Sequence, residues 1–488
     1  MSAGIDLAAS WAGRRGERQL LLACLACLGI GFLLTMGSAQ QAGRALGWPD
    51  LEPLYLYGAS LALLHLGLVA AGHRGDQSLV VVTGILLGVG LLAQARMGAF
   101  DASDALIPPA WLLPLAVSGM LITALAFGGG RFRLVGGWVW VWGGLALVLV
   151  AGLLLTGQRF RGAIYGGGLI TPTEALKVLV VLFGAAFVDR HQKGLARWSP
   201  RWPMVPVLEP LWRLAAFWAV LAGLLLMQRD LGQVVILSLT LTIILVAGTG
   251  RWAYLGYAGA SAAALGWGLL SLFEHGLRRI QAWLDPFADP TGDSWQVLQG
   301  LSGMYAGGLW GEGFGLGNPG YTPIAESDFI YAVIGEELGF IGCVVVVLFF
   351  LILFQRGIAI AGGARSGLGR LLAIGVTTVL VSQTFLNLAG VTKLVPLTGI
   401  TLPLISRGGA SLVTTCVLIG LLLAISDGPV AGGRRANGKA GKGARSATGD
   451  RLAADSRAGA DAPARAPKRR RRSSAALRPP RSARRRPW

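Results

Sequence analysis

Charged residues are scarce in this 488-residue chain, since Asp, Glu, Lys and Arg make up only 14% of it. A soluble globular domain carries about 25%, so the composition excludes a large water-soluble fold. Cysteine is also rare: the four in the chain are Cys24, Cys27, Cys343 and Cys416. All four lie in apolar runs, which argues against a disulfide framework and favours packing over a redox or metal role for Cys24 and Cys27.

Long apolar runs dominate the first 426 positions. Each is long enough to cross a hydrocarbon core of about 30 Å as a helix. Barrel strands would alternate apolar and polar residues over about 10 positions, whereas these runs are continuously apolar. The sequence therefore predicts an all-α polytopic membrane protein with about twelve transmembrane helices. The predicted spans are 19–37, 52–72, 78–95, 109–128, 134–156, 174–189, 211–228, 231–249, 252–273, 330–355, 368–390 and 410–426.

Positive charge is concentrated at the end of the chain. Residues 427–488 hold 18 Lys and Arg against 4 Asp and Glu, which accounts for +14 of the net +19. The basicity is thus a property of this tail and does not indicate nucleic-acid binding. Its Ala, Gly, Arg and Pro content predicts a disordered segment attracted to anionic membrane lipids. Lys and Arg in the short loops put both termini in the cytoplasm by the positive-inside rule.

Two segments on the predicted outer side do not read as membrane spans. Residues 274–329 are rich in Gly, Pro, Asp and Trp, and a connection of this length is usually functional. Residues 392–409 contain several Gly and Pro residues together with Lys393 and Arg407. Non-helical backbone at membrane depth is tolerated only where it lines a cavity, so this segment is expected to border a site.

An acidic sequence lies in the first of these segments. Asp285, Asp289 and Asp293 follow one another at intervals of four residues. Pro286 and Pro290 disfavour helical geometry, so we expect a rigid turn that presents carboxylates. A solvated acidic turn, a calcium or magnesium site and a catalytic base are all compatible with this pattern.

Cations on the same side form a second group of candidates. Arg279, Lys393 and Arg407 could bind a diphosphate, which Arg matches with two parallel hydrogen bonds. Pairing with the nearby carboxylates is equally compatible with the sequence. The outer segments therefore combine acids and bases, the composition expected of a site for a polar, phosphorylated substrate.

Several ionisable residues lie within or beside the apolar runs. Ionisable residues inside a membrane are candidates for function by default, although pairing with a neighbouring charge is an equal alternative. Glu174 and Lys177 can pair because they are three residues apart on one helix face. The others are Asp230, between two spans, and Glu336 and Glu337, in an apolar run.

The motifs occur in a recognisable order. They are PTEALK at 172–177, QRDLGQ at 228–233, DPFADPTGDSWQVLQ at 285–299, GGLWGEG at 307–313, SDFIYAVIGEELG at 327–339, PLTG at 396–399 and SRGGAS at 406–411. This series resembles the motifs of the SEDS family of peptidoglycan glycosyltransferases, which includes RodA, FtsW and SpoVE. The resemblance covers residues 78–426 and implies a ten-helix core. It divides the chain into an N-terminal part with two extra helices (1–77), the core with its outer loop (78–426, loop 274–329) and the tail (427–488).

The resemblance implies an activity and a set of site residues. The activity is polymerisation of lipid II into β-1,4 glycan strands outside the plasma membrane, for elongation, shape or division. Asp289 is the implied general base and Asp285 the second choice. The implied contacts to diphosphate or sugar are Arg279, Lys393, Arg407 and Arg161, and the implied structural polar residues are Glu174, Lys177, Asp230, Asp328, Glu336 and Glu337. Arg407 stands where the family has Tyr.

The implied partners are lipid II, membrane lipids and a class B penicillin-binding protein, with no nucleic acid. A divalent cation, Mg²⁺ or Mn²⁺, is compatible with the chemistry, but the sequence shows no ligand set for it. Two other functions fit the same features: a lipid II flippase, and a scaffold without catalytic activity in a cell-wall synthesis complex. The motifs do not separate roles in elongation, division and sporulation.

Overall fold

The computed structural model of the protein describes residues 6–41, 47–98, 108–160, 163–165, 172–198, 208–272, 274–292 and 294–427. The predicted tail at 428–488 and the candidate contact Arg161 lie outside these residues. Among these residues, all regular secondary structure is helical apart from one hairpin of two three-residue strands. The predicted all-α class is therefore confirmed.

The elements follow one another along the chain with few long connections. In order they are α1 (Leu7–Gly13), α2 (Arg15–Gln41), α3 (Glu52–Ala70), α4 (Gln77–Arg96), α5 (Leu112–Phe127), α6 (Val139–Thr156), β1 (Gln158–Phe160), β2 (Ala163–Tyr165), α7 (Pro172–Leu195), α8 (Leu208–Met227), α9 (Leu231–Thr249), α10 (Ala253–Leu272), α11 (Glu274–Leu284), α12 (Trp295–Gly307), α13 (Ile330–Gly363), α14 (Gly367–Val391) and α15 (Gly409–Ser426).

Ten helical segments in the described part of the chain are long and apolar enough to cross a membrane. They are Arg15–Ser38, Glu52–Ala70, Gln77–Arg96, Pro109–Phe127, Arg131–Leu155, Glu209–Met227, Leu231–Thr249, Ile330–Gly363, Gly367–Val391 and Gly409–Ser426. The two other predicted spans are helices as well, α7 and α10, but they are not among the ten. Twelve crossings remain a prediction, whereas a multi-pass membrane protein is established.

Polar side chains set the beginnings of several of these helices. Asp76 Oδ1 accepts a hydrogen bond from the Leu79 N–H at 3.1 Å and caps α4. Ser366 Oγ accepts one from the Gly369 N–H at 3.0 Å and caps α14. Such caps satisfy backbone donors that a helix leaves unpaired at its first turn. The apolar runs therefore become helices at positions that short polar residues specify.

The segment predicted as one long outer loop is more regular than expected. It contains α11 and α12, because only the stretch around Pro286 and Pro290 resists helix formation. By contrast, residues 392–408 contain no helix, as their Gly and Pro content predicted. A further break lies inside α13, where Gly339 takes a φ of +68°.

Helix α14 lies at the centre of the bundle, where it packs against α7, α9, α13 and α15. Its polar residues Gln383 and Asn387 are buried, as is Lys177 on the neighbouring α7. Helix α15 packs closely along α5. The non-helical segment 392–408 joins α14 to α15. It begins at the exposed Thr392, and only its later part, with Leu402, Leu404 and Ile405, is buried.

Candidate active site

The acidic turn begins where α11 ends. The Asp285 carboxylate accepts a hydrogen bond from the Phe287 N–H at 3.2 Å, and Asp289 Oδ1 accepts one from the Gly292 N–H at 3.1 Å. Both carboxylates are exposed, whereas Pro286 between them is buried. The expected non-helical turn is confirmed, and it presents two acids to solvent while their local hydrogen bonds hold the backbone.

Helix α11 fastens this turn to the 392–408 segment. Trp283 Nε1 donates to the carbonyl oxygen of Lys393 at 3.0 Å, and Arg279 Nη1 donates to that of Leu397 at 3.4 Å. Lys393 takes a φ of +59°, which turns the chain immediately after α14. Two of the predicted cations, Arg279 and Lys393, thus lie in elements that contact each other directly beside the acidic turn.

Two further carboxyl groups lie within electrostatic reach of Arg279. Asp230 caps α9 through the Gln233 N–H at 3.0 Å, and Asp328 lies just before α13. Burial raises the pKa of both carboxyl groups above 3.8, and the Arg279 charge opposes this rise in each. The Asp328 carboxylate also lies close to the 392–408 segment, since a Cβ atom added to Gly399 would be 3.6 Å from Asp328 Oδ2. Arg279 therefore lies near carboxyl groups from two distant parts of the chain, Asp230 and Asp328.

Arg407 is engaged with a carboxylate. Its guanidinium forms an ion pair with Glu326, and its N–H donates to the Glu326 carbonyl oxygen at 2.7 Å. The adjacent Ser406 hydroxyl donates to the carbonyl oxygen of Ser327. The 406–407 backbone is thereby bound to the residues that immediately precede Asp328. The side chain of Arg407 stays 34% exposed, so its guanidinium is still accessible.

The predicted pair of Glu174 and Lys177 forms the centre of a buried polar network. Lys177 Nζ donates to Glu174 Oε2 at 2.7 Å and to Gln383 Oε1 at 2.8 Å. The Gln383 amide in turn donates to the Thr401 carbonyl oxygen at 3.0 Å. Lys177 is 1% exposed, so its charge depends on these partners. The network connects α7 and α14 to the 392–408 segment.

Gln383 is a participant that the motif analysis missed. It lies four residues before Asn387, whose amide donates to the carbonyl oxygens of Asp328 at 2.9 Å and Ile400 at 2.6 Å. Two side-chain amides that are four residues apart in an apolar run lie on one face of a helix. That spacing was the signal in the sequence that could have identified them.

Glu336 and Glu337 hold the loop that precedes α13. The Asn318 N–H donates to Glu336 Oε1 at 2.5 Å. Arg96 Nε lies 2.9 Å from Glu337 Oε1, and Arg96 also donates to the Gly317 carbonyl oxygen at 2.8 Å. For Glu337, pairing with a neighbouring Arg is therefore the reading that the structure supports. Both acids order the 315–318 backbone.

A divalent cation finds no ready-made site in the described part of the chain, where no group of three or more His, Cys, Asp or Glu side chains could hold a metal ion. Mg²⁺ is commonly bound by one or two carboxylates together with substrate phosphates. No step of the chemistry is assigned to a metal here.

Fold and site together define a class, a polytopic helical membrane protein with an exposed acidic turn, a buried lysine–glutamate pair on α7 and an arginine–glutamate pair between its loops. A family model described as "Cell cycle protein", which covers FtsW, RodA and SpoVE, matches residues 132–428. Peptidoglycan glycosyltransferase RodA of Mycobacterium tuberculosis is 31% identical over 444 residues, 85% of this chain and 91% of that protein. Stage V sporulation protein E of Bacillus subtilis is 33% identical over 371 residues, 72% of this chain and 96% of that protein.

Solved structures agree with these sequence relatives. One similar chain comes from a structure described as the structural coordination of polymerization and crosslinking by a peptidoglycan synthase complex. It superposes with a TM-score of 0.58 and is 25% identical in sequence, and the match covers 72% of this chain and 98% of that chain. The rod shape-determining protein RodA of Thermus thermophilus shares the fold, with a TM-score of 0.50, 23% identity and coverage of 72% and 97%. The chain belongs to the FtsW/RodA/SpoVE family, the SEDS proteins.

Proposed function

We propose that this chain is a peptidoglycan glycosyltransferase that polymerises lipid II into β-1,4 glycan strands. In this reaction the 4-hydroxyl of the acceptor GlcNAc attacks C1 of the donor MurNAc. The bond from C1 to the diphosphate oxygen breaks, the new C1–O4 bond forms with inversion, and undecaprenyl diphosphate departs. The hydroxyl proton must go to a base, and the departing negative charge must be stabilised by cations.

The acidic turn beside α11 is the observation that carries this proposal. By its position in the family motif, Asp289 is the general base and Asp285 the second choice. The geometry supports this role, since both carboxylates are exposed on a turn that hydrogen bonds hold in place. Arg279 lies on α11, which leads directly into this turn, and it bonds to the segment that carries Lys393. These two cations, together with Arg407, stabilise the diphosphate.

The active site faces the outer side of the plasma membrane, and both termini are cytoplasmic. This orientation is supported by the Lys and Arg of the short loops on the opposite side. The partner is a class B penicillin-binding protein. This assignment is supported by the similar solved structure with a TM-score of 0.58, which comes from a peptidoglycan synthase complex that coordinates polymerization and crosslinking.

A polymerisation assay with purified lipid II, with the transpeptidase partner present, tests the proposal. We expect wild-type protein to form glycan polymer and Asp289→Ala to lose about 100- to 10,000-fold in rate, the usual contribution of a general base. Glu312→Ala is the matched control, because Glu312 is an exposed acid in the same outer segment. Wild-type rates from Asp289→Ala would remove Asp289 from the mechanism. Transbilayer movement of lipid II without polymer would identify a flippase instead.

A further inference from the structure

A single side-chain amide on α14 links two backbone segments of the candidate site. The Asn387 Nδ2 atom donates to the carbonyl oxygen of Asp328 at 2.9 Å and to that of Ile400 at 2.6 Å. A side-chain amide nitrogen carries two N–H donors, so both are used here, each on a different segment. Asn387 thereby joins the residues that precede α13 to the 392–408 segment.

The same amide is incompletely satisfied. Asn387 is 3% exposed, and its Oδ1 atom has no hydrogen-bond partner among the residues that the structure describes. A buried polar atom without a partner is unfavourable, because it loses its hydrogen bonds to water on folding. Only the donor half of the amide is therefore used, and its effect is to fix where two carbonyl oxygens lie.

The two linked segments carry a carboxylate and the anchor of an arginine. Gly399 has a φ of +71°, and a Cβ atom added there would lie 3.6 Å from Asp328 Oδ2, so this carboxylate lies against the backbone of the 392–408 segment. In the same stretch, the Leu397 carbonyl oxygen accepts a hydrogen bond from Arg279 Nη1 at 3.4 Å. The Arg279 charge also acts on the Asp328 carboxyl group. The link made by Asn387 thus fixes the backbone that holds Arg279.

We propose that Asn387 is a positioning residue for glycan transfer, which holds Asp328 and the 397–400 backbone at a fixed separation and so keeps the Arg279 guanidinium directed at the departing diphosphate. The proposal rests on the proposed function, which assigns Arg279 to that group. Asn387 acts through Arg279 and not on the substrate. Negative charge grows on the diphosphate as its bond to C1 breaks, so a displaced Arg279 weakens binding of the transition state more than binding of the substrate.

Steady-state kinetics with lipid II, in nanodiscs that contain the full chain and its transpeptidase partner, test this role. Asn387→Leu removes both donors at similar side-chain size, and we expect kcat to fall about 10- to 100-fold, since a misplacement of about 1 Å can cost that much. KM should change less. Leu380→Ala is the control, because Leu380 is a 1% exposed residue of the same helix. Its truncation should lower the melting temperature through a cavity and leave kcat nearly unchanged, so equal losses of kcat in both variants would assign Asn387 a merely structural role.

A double variant shows whether the effect passes through Arg279. If it does, Arg279→Ala should lower kcat much less in the Asn387→Leu background than in the wild-type background. Independent losses that multiply would overturn the proposal, as would a wild-type kcat for Asn387→Leu. Asn387→Ser retains one donor and should fall between wild type and Asn387→Leu, which keeps the proposal testable if Asn387→Leu does not fold. A wild-type chain that makes no polymer would instead refute the proposed function, so the two failures are distinguishable.

Discussion

Removing the buried Lys177 charge should be among the most destabilising single changes in this protein. Lys177 is 1% exposed and lies 2.7 Å from Glu174 and 2.8 Å from Gln383. Replacement with Met keeps the length of the side chain but removes the donor. The Glu174 carboxylate, 14% exposed, then loses its counter-charge, and the Gln383 carbonyl oxygen loses its donor.

The size of the effect follows from which partner remains. Breaking a buried ion pair on one side costs about 3–5 kcal/mol, because the remaining charge is left uncompensated. Replacing both members with neutral residues is often close to neutral. The double variant Glu174→Gln/Lys177→Met should therefore recover most of the stability that Lys177→Met loses. In a double-mutant cycle, two residues in contact show an interaction energy of about 0.5–3 kcal/mol.

Reversible unfolding in mixed detergent micelles, followed by tryptophan fluorescence, measures these free energies. The control is Arg213→Met, which breaks the Arg213–Glu209 pair at 3.4 Å, whose side chains are 44% and 57% exposed. That exposed pair should contribute only about 0–1 kcal/mol. The reasoning is refuted if Lys177→Met costs no more than this control, or if the double variant is as unstable as the single one.

Three further changes test the loops and the packing of α4 against the 392–408 segment. Gly315→Ala should destabilise the loop before α13 and lower the melting temperature, because Gly315 has a φ of +77° and an added Cβ would lie 1.9 Å from Ser38 Oγ. Adding Ser38→Gly removes the clash but not the unfavourable φ, so it should restore only part of the melting temperature, and full recovery would contradict the argument from backbone conformation. Gly90→Ala should lower the melting temperature, because an added Cβ would lie 2.6 Å from Ile405 Cα. Gly29→Ala is the control and should not lower it, because no atom lies within 4 Å of a Cβ added there. The same change in melting temperature for both variants would contradict close packing at Gly90. Burial raises the pKa of Asp328 above 3.8, so its charged form is disfavoured in the folded state and stability is lost as pH rises from about 4. Asp328→Asn should therefore gain stability relative to wild type between pH 4 and 7, and a difference that does not change with pH would contradict this sign.

Much of the fold could be predicted because it depends on local properties. The length of the apolar runs predicts the twelve long helices, and Pro286 and Pro290 predict the turn between α11 and α12. The pair of Glu174 and Lys177 followed from helix periodicity alone. Helices α11 and α12 were missed, because short helices at the edge of a membrane protein leave no long apolar run to detect.

The arrangement of the site could be predicted only in part. Asp230, Arg279 and Asp328 are separated by about fifty residues each, and no local pattern indicates that they meet. The motif order identified them individually, but their proximity depends on how α9, α11 and the start of α13 pack. The partner of Arg407 was also beyond sequence reasoning, since Glu326 is 81 positions away.

The 392–408 segment explains why several polar residues lie in apolar helices. Non-helical backbone at membrane depth leaves carbonyl oxygens without intrahelical donors, and each must find another partner. Five side chains donate to this backbone: Trp283 to Lys393, Arg279 to Leu397, Asn387 to Ile400, Gln383 to Thr401 and Gln94 to Ile405. The amides of α4 and α14 are therefore required by the shape of the segment and not by chemistry at a substrate. Of the five donors, Arg279 is the one whose charge also acts on the carboxyl groups of Asp230 and Asp328, so we expect it both to hold this backbone and to contact the diphosphate.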